Sequence, residues 1–450
     1  MVNVIRLRKG LDINLKGKAE QKKIGLKPTG LYALQPDGFV GIVPKVVVKE
    51  GEQVDAGQAL FVDKKHPEIQ FVSPVSGTVK AVVRGERRKV MSVQVEAAAE
   101  QQSVNHGKKD PKQMQGSQVL DHLLKAGLFG FINQLPYDVV ANPEDKPKAI
   151  FVSALRDKPL AADFEYELKG QEQDWQTGLT ALSRMAKVYL GVGARQTAKA
   201  LLEAEDVEVT VFDGPCPAGN VSVQVNHLNP VNKGEVVWTV EPTAVIFIGR
   251  LMNTGCVDLT RTVAFVGSEV NKPAYVDMKV GQELATLLAN SLKHTSHVRI
   301  INGNVLTGVP TTKDGFLAAH ASEVTVIPEG DDVDEMAGWI MPRFNQFSSN
   351  RSYFSWLMGK AREYALDARV KGGERHMIMS GEYDRVFPMN IFPEYLVKAI
   401  IANDIDRMEQ LGIYEVAPED FALAEFVCSS KLELQRIVRN GLDMLRKENS

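Results

Sequence analysis

Cysteine is nearly missing from this 450-residue chain. The three present, Cys216, Cys256 and Cys428, stand far apart and none belongs to a C-x-x-C pair. That excludes a disulfide framework, a structural zinc site and an iron–sulfur cluster ligated by this chain alone, and it suits a reducing compartment. Long apolar runs are missing too. No window approaches the roughly 18 uninterrupted apolar residues of a membrane-crossing helix. The first residues, Met1 to Lys9, hold no apolar core of signal-peptide length. The chain is therefore expected to be soluble or peripheral to a membrane. A surplus of positive charge is also absent: 53 basic and 56 acidic side chains give a net charge of −3, and nucleic acid is not an expected partner. There is no HExxH, no G-x-S-x-G and no P-loop. His294 and His297 lie close together without a neighbouring Cys or carboxylate to complete a ligand set. Asp331-Asp332 and Asp334-Glu335 lack the glycine spacing of a calcium loop and read as a solvated linker.

What is present is ordinary globular composition, 44% hydrophobic and 24% charged, long enough for about three or four domains. Residues 40–95 are a string of short apolar or β-branched runs bounded by Gly, Pro, Asp and charged turns, which predicts strands. Two phrases within it, Glu50 to Leu60 and Ser73-Pro74-Val75-Ser76-Gly77-Thr78-Val79, resemble the half-motifs of a lipoyl/biotinyl-type barrel-sandwich domain. In such domains a hairpin carries a modified lysine between the halves. Here that position falls near His66, while Lys64 and Lys65 stand one or two residues early and Pro67 stiffens the turn. The expectation is a structural β-module without a swinging arm. Residues 1–38, rich in glycine and proline, read as an extended lead-in wrapped around this module. Residues 97–117 read as a polar linker.

Beyond the linker the pattern becomes β–α–β. Strands are expected at Ala149–Val152, Ala186–Leu190 and Val207–Phe212, and helices at Asp174–Met185 and Thr197–Glu205. This rhythm argues a parallel sheet with helices on both faces. Gly191-Val192-Gly193 before a helix, with Asp213 about twenty residues on, partly matches a dinucleotide fingerprint. The third glycine is replaced by Gln196, and a plain strand-to-helix turn is the favoured reading. Residues 260–330 read as a small β-grasp pattern, and 331–450 as mostly helical.

The order of these units, with Asp63-Lys64-Lys65, Pro159-Leu160-Ala161-Ala162, Phe212-Asp213-Gly214-Pro215, Asn229-Pro230-Val231-Asn232, Val305-Leu306-Thr307-Gly308 and Phe426-Val427-Cys428, resembles the A subunit of the Na+-translocating NADH:quinone oxidoreductase (Na+-NQR). More distant resemblances are to the C subunit of the Rnf complex and to the flavin- and NADH-binding subunit of complex I. The resemblance implies an α/β multidomain fold: a barrel-sandwich (biotinyl/lipoyl-like) domain with its lead-in over 1–100, a Rossmann-like α/β domain over 117–258, an SLBB-type β-grasp domain over 259–330, and a helical domain over 331–450 derived from a ferredoxin-like scaffold. It implies a peripheral subunit on the cytoplasmic face of the bacterial inner membrane, docked to membrane-embedded and peripheral partner subunits that carry NADH, FAD, FMN and Fe–S sites.

Relatives hold flavin phosphate on a loop of the form G-x-G-G-x-x-F-P, which needs bare glycine backbone. This chain has Gly127-Leu128-Phe129-Gly130-Phe131-Ile132-Asn133-Gln134-Leu135-Pro136 there. In the tail, Phe387 stands at a cluster-ligand position and Cys428 is the one cysteine left of a second motif. The expectation is a chain with no redox cofactor of its own. The resemblance links two stretches to quinone, about Leu31 to Ile42 and about Phe131 to Val139. A quinone, ubiquinone or menaquinone, suits aromatic walls with one or two donors, so Phe129, Phe131, Asn133, Pro136 and Tyr137 are the candidate quinone-binding residues. For any single one of these residues the favoured reading is a filler of a vacated flavin pocket. Three rival functions stand beside this one: an NAD- or flavin-dependent dehydrogenase using Gly191, Gly193 and Asp213, a biotin or lipoyl carrier, and a structural adaptor with no ligand.

Overall fold

The alternating residues of the β-module fold into two facing sheets. One orders the strands Leu31–Leu34, Val90–Ala97, Gly77–Arg84 and Gln53–Val54; the other orders Pro44–Val46, Ala59–Asp63 and Gln70–Val72. Val79, Val93 and Val95 from the first sheet and Leu60, Phe61 and Phe71 from the second are buried in one core cluster. In this computed structural model, residues 3–27, 29–333, 341–359 and 361–449 are described, and the acid pair Asp334-Glu335 lies outside them. In the turn after Ala59–Asp63, the Asp63 carboxylate accepts the N–H groups of Val43 at 2.9 Å and Lys65 at 3.3 Å. Lys64 and Lys65 are exposed. Lys64→Ala and Lys65→Ala are expected to leave folding intact and the intact mass free of any lost adduct. A biotinyl or lipoyl group that vanishes on mutation would establish the carrier rival.

The lead-in does not wrap the β-module. Asn3–Arg6 pairs in parallel with Glu208–Asp213 of the α/β sheet, Glu20–Ile24 pairs in parallel with Ala274–Lys279 of the β-grasp sheet, and only Leu31–Leu34 joins the β-module. Four- and five-residue strands of mixed polarity gain their stability from the sheet edges they complete, so one polypeptide segment ties three sheets together.

The α/β sheet has seven strands in the order Asn3–Arg6, Glu208–Asp213, Val188–Gly193, Ile150–Ser153, Val237–Val240, Ile132–Leu135, Val139–Val140. The first five are parallel, and Ile132–Leu135 pairs antiparallel with both Val237–Val240 and Val139–Val140. Buried on both faces, the central strands read as nearly continuous apolar runs. Ile150 and Val152 face a core with Trp175, Leu179 and Val245 from the helices Glu172–Met185 and Pro242–Thr254. Phe151 faces the other way, with Val225 of the helix Val221–Leu228. The helix expected over 197–205 is only one turn, Lys199–Leu202.

The β-grasp sheet orders Val309–Thr311, Val298–Asn302, Glu323–Pro328, Thr260–Val266, Ala274–Lys279 and Glu20–Ile24. Among the described residues five α-helices follow, Tyr383–Val386, Pro393–Ile401, Ile405–Gln410, Ala422–Val427 and Leu434–Glu448. Of the two tail residues singled out in the sequence, Phe387 is buried with its ring 5.0 Å from Phe421, and the Cys428 sulfur is buried 2.9 Å from the Tyr383 hydroxyl.

Candidate functional site

The aromatic loop begins at Gly127, whose φ of +70° suits glycine. A Cβ there would meet Val72 at 2.4 Å, and one on Gly130 would meet the Phe71 ring at 2.5 Å. These glycines admit the β-module's side chains against the loop. They are not left bare for an anion. Between them the 3-10 turn Phe129–Phe131 buries both rings in one core cluster, against different neighbours. Phe129 is fully buried, edge-on to Trp238 at 5.5 Å. Phe131, 5% exposed, lies among Phe39, Phe247 and His320 at 5.5–5.7 Å.

The loop borders a cavity of about 460 Å³ at the C-terminal ends of Ile150–Ser153 and Val237–Val240. That is where ligands commonly bind in open α/β sheets. Phe131 and Asn133 line it, together with Asp37 and Gly38 from the lead-in and His320 from the β-grasp domain. Three of the expected residues do not line it. Phe129 packs on Trp238, and Pro136 is buried. Tyr137 is turned toward the C-terminal helix: its carbonyl accepts from Arg439, and its hydroxyl accepts from Asn449 at 3.2 Å.

Charged groups missed in the sequence ring the cavity, since no local spacing links them. Arg156 donates to the buried Glu167 at 2.6 Å and to the Thr243 hydroxyl at 2.8 Å, and that hydroxyl donates to Glu167 at 2.6 Å. Lys158 pairs with Glu419 at 2.8 Å, and His320 Nδ1 lies 3.4 Å from Glu241. Burial opposes the charge on Lys158, yet the Glu419 carboxylate outweighs it and holds its pKa above the usual range. Burial likewise opposes ionisation of Glu241, but His320 and Arg261 prevail and hold its carboxyl below the ordinary value. Glu323 goes the other way: burial raises it against the opposing pull of Arg156. Burial also raises Asp138 to about 6, against the opposing charge of Arg439. Cys216 is buried, and its thiol pKa is pushed up by that burial and by Asp157, so it stays protonated. The cavity therefore offers an aromatic wall, neutral and charged hydrogen-bond donors, and a protonatable carboxyl. It holds no thiolate nucleophile. Among the described residues, a cluster with metal-ligand geometry occurs only at exposed His297, Asp331 and Asp332, away from this site.

The partial fingerprint faces a second, neighbouring cavity of about 880 Å³. Gly191 and Gly193 lie within the strand Val188–Gly193. The N–H of Gly193 donates to the Gln196 side chain at 2.6 Å, and that side chain donates to Ala154 O at 3.0 Å. The next two free N–H groups, of Thr197 and Ala198, both donate to the Glu165 carboxylate at 2.6 and 2.5 Å. A carboxylate thus occupies the place where a pyrophosphate would sit. Asp213, the ribose-binding candidate, stands 4.0 Å from Arg6. No saturable NADH binding is expected in a titration of the purified chain. Binding abolished by Gly193→Val would restore the dehydrogenase reading.

Three family models match the chain: the NqrA N-terminal barrel-sandwich hybrid domain over residues 5–98, the NqrA second alpha/beta domain over 114–257, and the NQRA C-terminal domain over 262–313. The chain is similar to the A subunit of the Na(+)-translocating NADH-quinone reductase of Yersinia pestis, at 35% identity over 452 residues, covering 99% of this chain and 100% of that one. It is similar to the protein of the same name from Haemophilus influenzae, at 34% identity over 451 residues with 99% and 100% covered. Among solved structures, an NAD+-reducing [NiFe]-hydrogenase aligns with 68% of this chain and 55% of its own at 13% identity and a TM-score of 0.34, too slight a likeness to carry an argument.

Proposed function

The chain belongs to the family of the A subunit of Na(+)-translocating NADH-quinone reductase, and from that premise we propose that its cavity at the aromatic loop receives the quinone. It is one subunit of the sodium-pumping NADH:quinone reductase, an enzyme made of several. Among the described residues no helix is long and apolar enough to cross a membrane. In this reading, membrane-embedded and peripheral partners hold the chain at the cytoplasmic face of the inner membrane. They also carry the NADH, FAD, FMN and Fe–S sites. The α/β sheet and the helical tail are then Rossmann-like and ferredoxin-like scaffolds, shared with the C subunit of the Rnf complex and with the flavin-binding subunit of complex I, whose cofactor positions have been filled by side chains.

The observation that supports the quinone site is the meeting of two distant stretches. The Val140 N–H donates to Val40 O at 2.9 Å, and Phe39 lies edge-on to Phe131 at 5.6 Å. The lead-in stretch 31–42 and the loop stretch 131–139 thus share one wall. A quinone headgroup is planar and apolar with two carbonyl acceptors. Phe131 supplies a ring, Asn133 and His320 supply donors, and Phe129, Pro136 and Tyr137 fix the loop from behind. Titration of the chain with short-chain ubiquinone and menaquinone analogues tests this. Asn133→Leu is expected to cost about 1 kcal/mol, roughly a fivefold weaker Kd. No saturable binding by the chain would leave the adaptor reading and move the site to a partner.

Reduction of a quinone to a quinol takes up two electrons and two protons, and Asp138 borders the cavity with a carboxyl near 6. A folded-state pKa above the ordinary aspartate value means that the native state binds the proton more tightly. Its stabilising effect is complete below the unfolded value and is lost as pH rises through about 6. Asp138→Asn is tolerated at the residue's φ of +49°. It is expected to be more stable than the parent chain at pH 8, by roughly 1–2 kcal/mol for this partly exposed group, with little difference in acid. Urea midpoints across that range check it, and a gain that does not vary with pH would refute the assignment.

A further inference from the structure

Arg261 is a buried charge that the quinone reading leaves without a task. It stands on the β-grasp strand Thr260–Val266 and is 2% exposed. A guanidinium is tolerated there only where acceptors replace its water. It donates to Ala319 O at 2.6 Å and to the Ser322 hydroxyl at 2.9 Å, and it lies 3.9 Å from Glu241. These contacts fix two things at once. Ala319 and Ser322 flank His320 in the loop before the strand Glu323–Pro328, and Glu241 caps the helix Pro242–Thr254. One side chain thus sets a histidine of the β-grasp domain against a carboxylate of the α/β domain, with His320 Nδ1 3.4 Å from Glu241.

The imidazole is boxed in as well. The Phe39 and Phe131 rings each stand 5.5 Å from it, and it lines the cavity. Its second nitrogen, Nε2, has no hydrogen-bond partner among the described residues. Glu241 keeps its charge, because the start of a helix favours an anion and Arg261 adds to that field. An ionised carboxylate at Nδ1 holds a proton on that nitrogen and leaves Nε2 for a ligand. The other charged groups lining the cavity are engaged elsewhere. Arg156 is paired with Glu167, Lys158 with Glu419, and Asp37 with Lys89. Asp157 accepts the Gly219 N–H and Glu323 the Ala162 N–H, each at 2.8 Å. Asp138 is the remaining acid on this cavity and the rival source of a proton.

We propose that His320 donates a proton to one carbonyl of the bound quinone, with Glu241 as the residue that positions it. This role rests on the reading of the cavity as the quinone site. The electrons come from NADH through the complex, as its activity requires. As the quinone is reduced, the Nε2–H bond of the imidazolium breaks and an O–H bond forms on the carbonyl oxygen. The bonding pair stays on Nε2, and the neutral imidazole takes a proton back from solvent. Glu241 stays ionised throughout, and the other carbonyl is protonated separately.

Two measurements test it: the Kd of a short-chain ubiquinone for the isolated full chain, and turnover of the assembled complex between about pH 6 and 9. In His320→Gln the amide still donates a hydrogen bond but has no proton to give up. Its Kd should change less than about threefold, while kcat falls about tenfold or more. Glu241→Gln keeps the size of the side chain and removes the charge that favours the imidazolium. The alkaline limb of its pH–rate profile should move about one unit toward acid, which a merely structural role would not produce. The proposal fails, and the quinone site stands, if the chain binds quinone and both variants keep the parent's kcat and profile. It fails too if His320→Gln loses affinity alone, since the histidine then only holds the ligand. A limb moved by Asp138→Asn and not by Glu241→Gln would give the role to Asp138. Absence of saturable quinone binding by the parent chain would overturn the reading of the cavity itself, and this role with it.

Discussion

Truncating Phe131 to alanine is expected to cost about 3–5 kcal/mol of stability, a large loss for one side chain. The ring is almost wholly buried and is enclosed by three others from three parts of the molecule. Phe39 comes from the lead-in at 5.6 Å, Phe247 from the helix Pro242–Thr254 at 5.7 Å, and His320 from the β-grasp domain at 5.5 Å. Those groups cannot all move in to close the void, because each belongs to a different packed unit. The loss should therefore fall on the junction between domains, and limited proteolysis should reveal it along with a lower urea midpoint. An unchanged midpoint would mean that the ring is not packed as described. Quinone affinity should fall as well, but in this variant the two effects are entangled. Phe131→Leu separates them. Leucine keeps most of the volume, and such swaps usually cost less than about 1.5 kcal/mol, yet it removes the ring face. Weaker quinone binding in a leucine variant that remains stable would assign the ring to the ligand. Unchanged binding there, with a damaged alanine variant, would make Phe131 a filler of the junction.

That ambiguity marks the boundary of what the sequence makes legible. The aromatic character of residues 127–137 is plain in one dimension, as is the loss of a glycine-rich cradle. Which rings reach a cavity is not, because of the two rings in one three-residue turn Phe131 lines it and Phe129 packs on Trp238 instead. The β-module was readable for a local reason: its strands alternate and its turns carry their own glycine, proline and aspartate. The lead-in was unreadable for the opposite reason. The strand Asn3–Arg6 leaves Val4 half exposed and acquires its meaning only from Thr210 and its neighbours. At the partial fingerprint, the substitution at Gln196 is visible. That its amide takes the Gly193 N–H is not, nor is the reach of Glu165 to the next two N–H groups. The charged ring of Arg156, Glu167, Glu241 and His320 has no sequence signature at all, since these residues come from separate elements that only the tertiary fold brings together.

That ring is also where a single change should do the most damage. Arg156→Met removes a guanidinium whose partner, Glu167, is 1% exposed and keeps only the Thr243 hydroxyl as a side-chain donor. Breaking a buried pair from one side strands the other charge, and the usual cost is about 3–5 kcal/mol. Glu323 suffers too. Burial already raises its carboxyl, and Arg156 is the largest influence holding it down. Without Arg156 that carboxyl rises further in the folded state only. The sign of the pH dependence follows: a raised folded-state pKa gives stability that is full in acid and lost as pH climbs through the raised value. The variant should therefore be most damaged at neutral to alkaline pH and partly relieved near pH 5. The double variant Arg156→Met/Glu167→Leu should recover much of the loss, since an apolar pair of similar volume often replaces a buried ion pair at little cost. Urea unfolding of the three proteins at pH 5 and pH 8 decides the matter. An equal loss at both values would mean that no stranded carboxyl is responsible. A double variant no better than the single one would mean that Arg156 acts through packing over the Phe164 ring, 5.2 Å away, more than through charge.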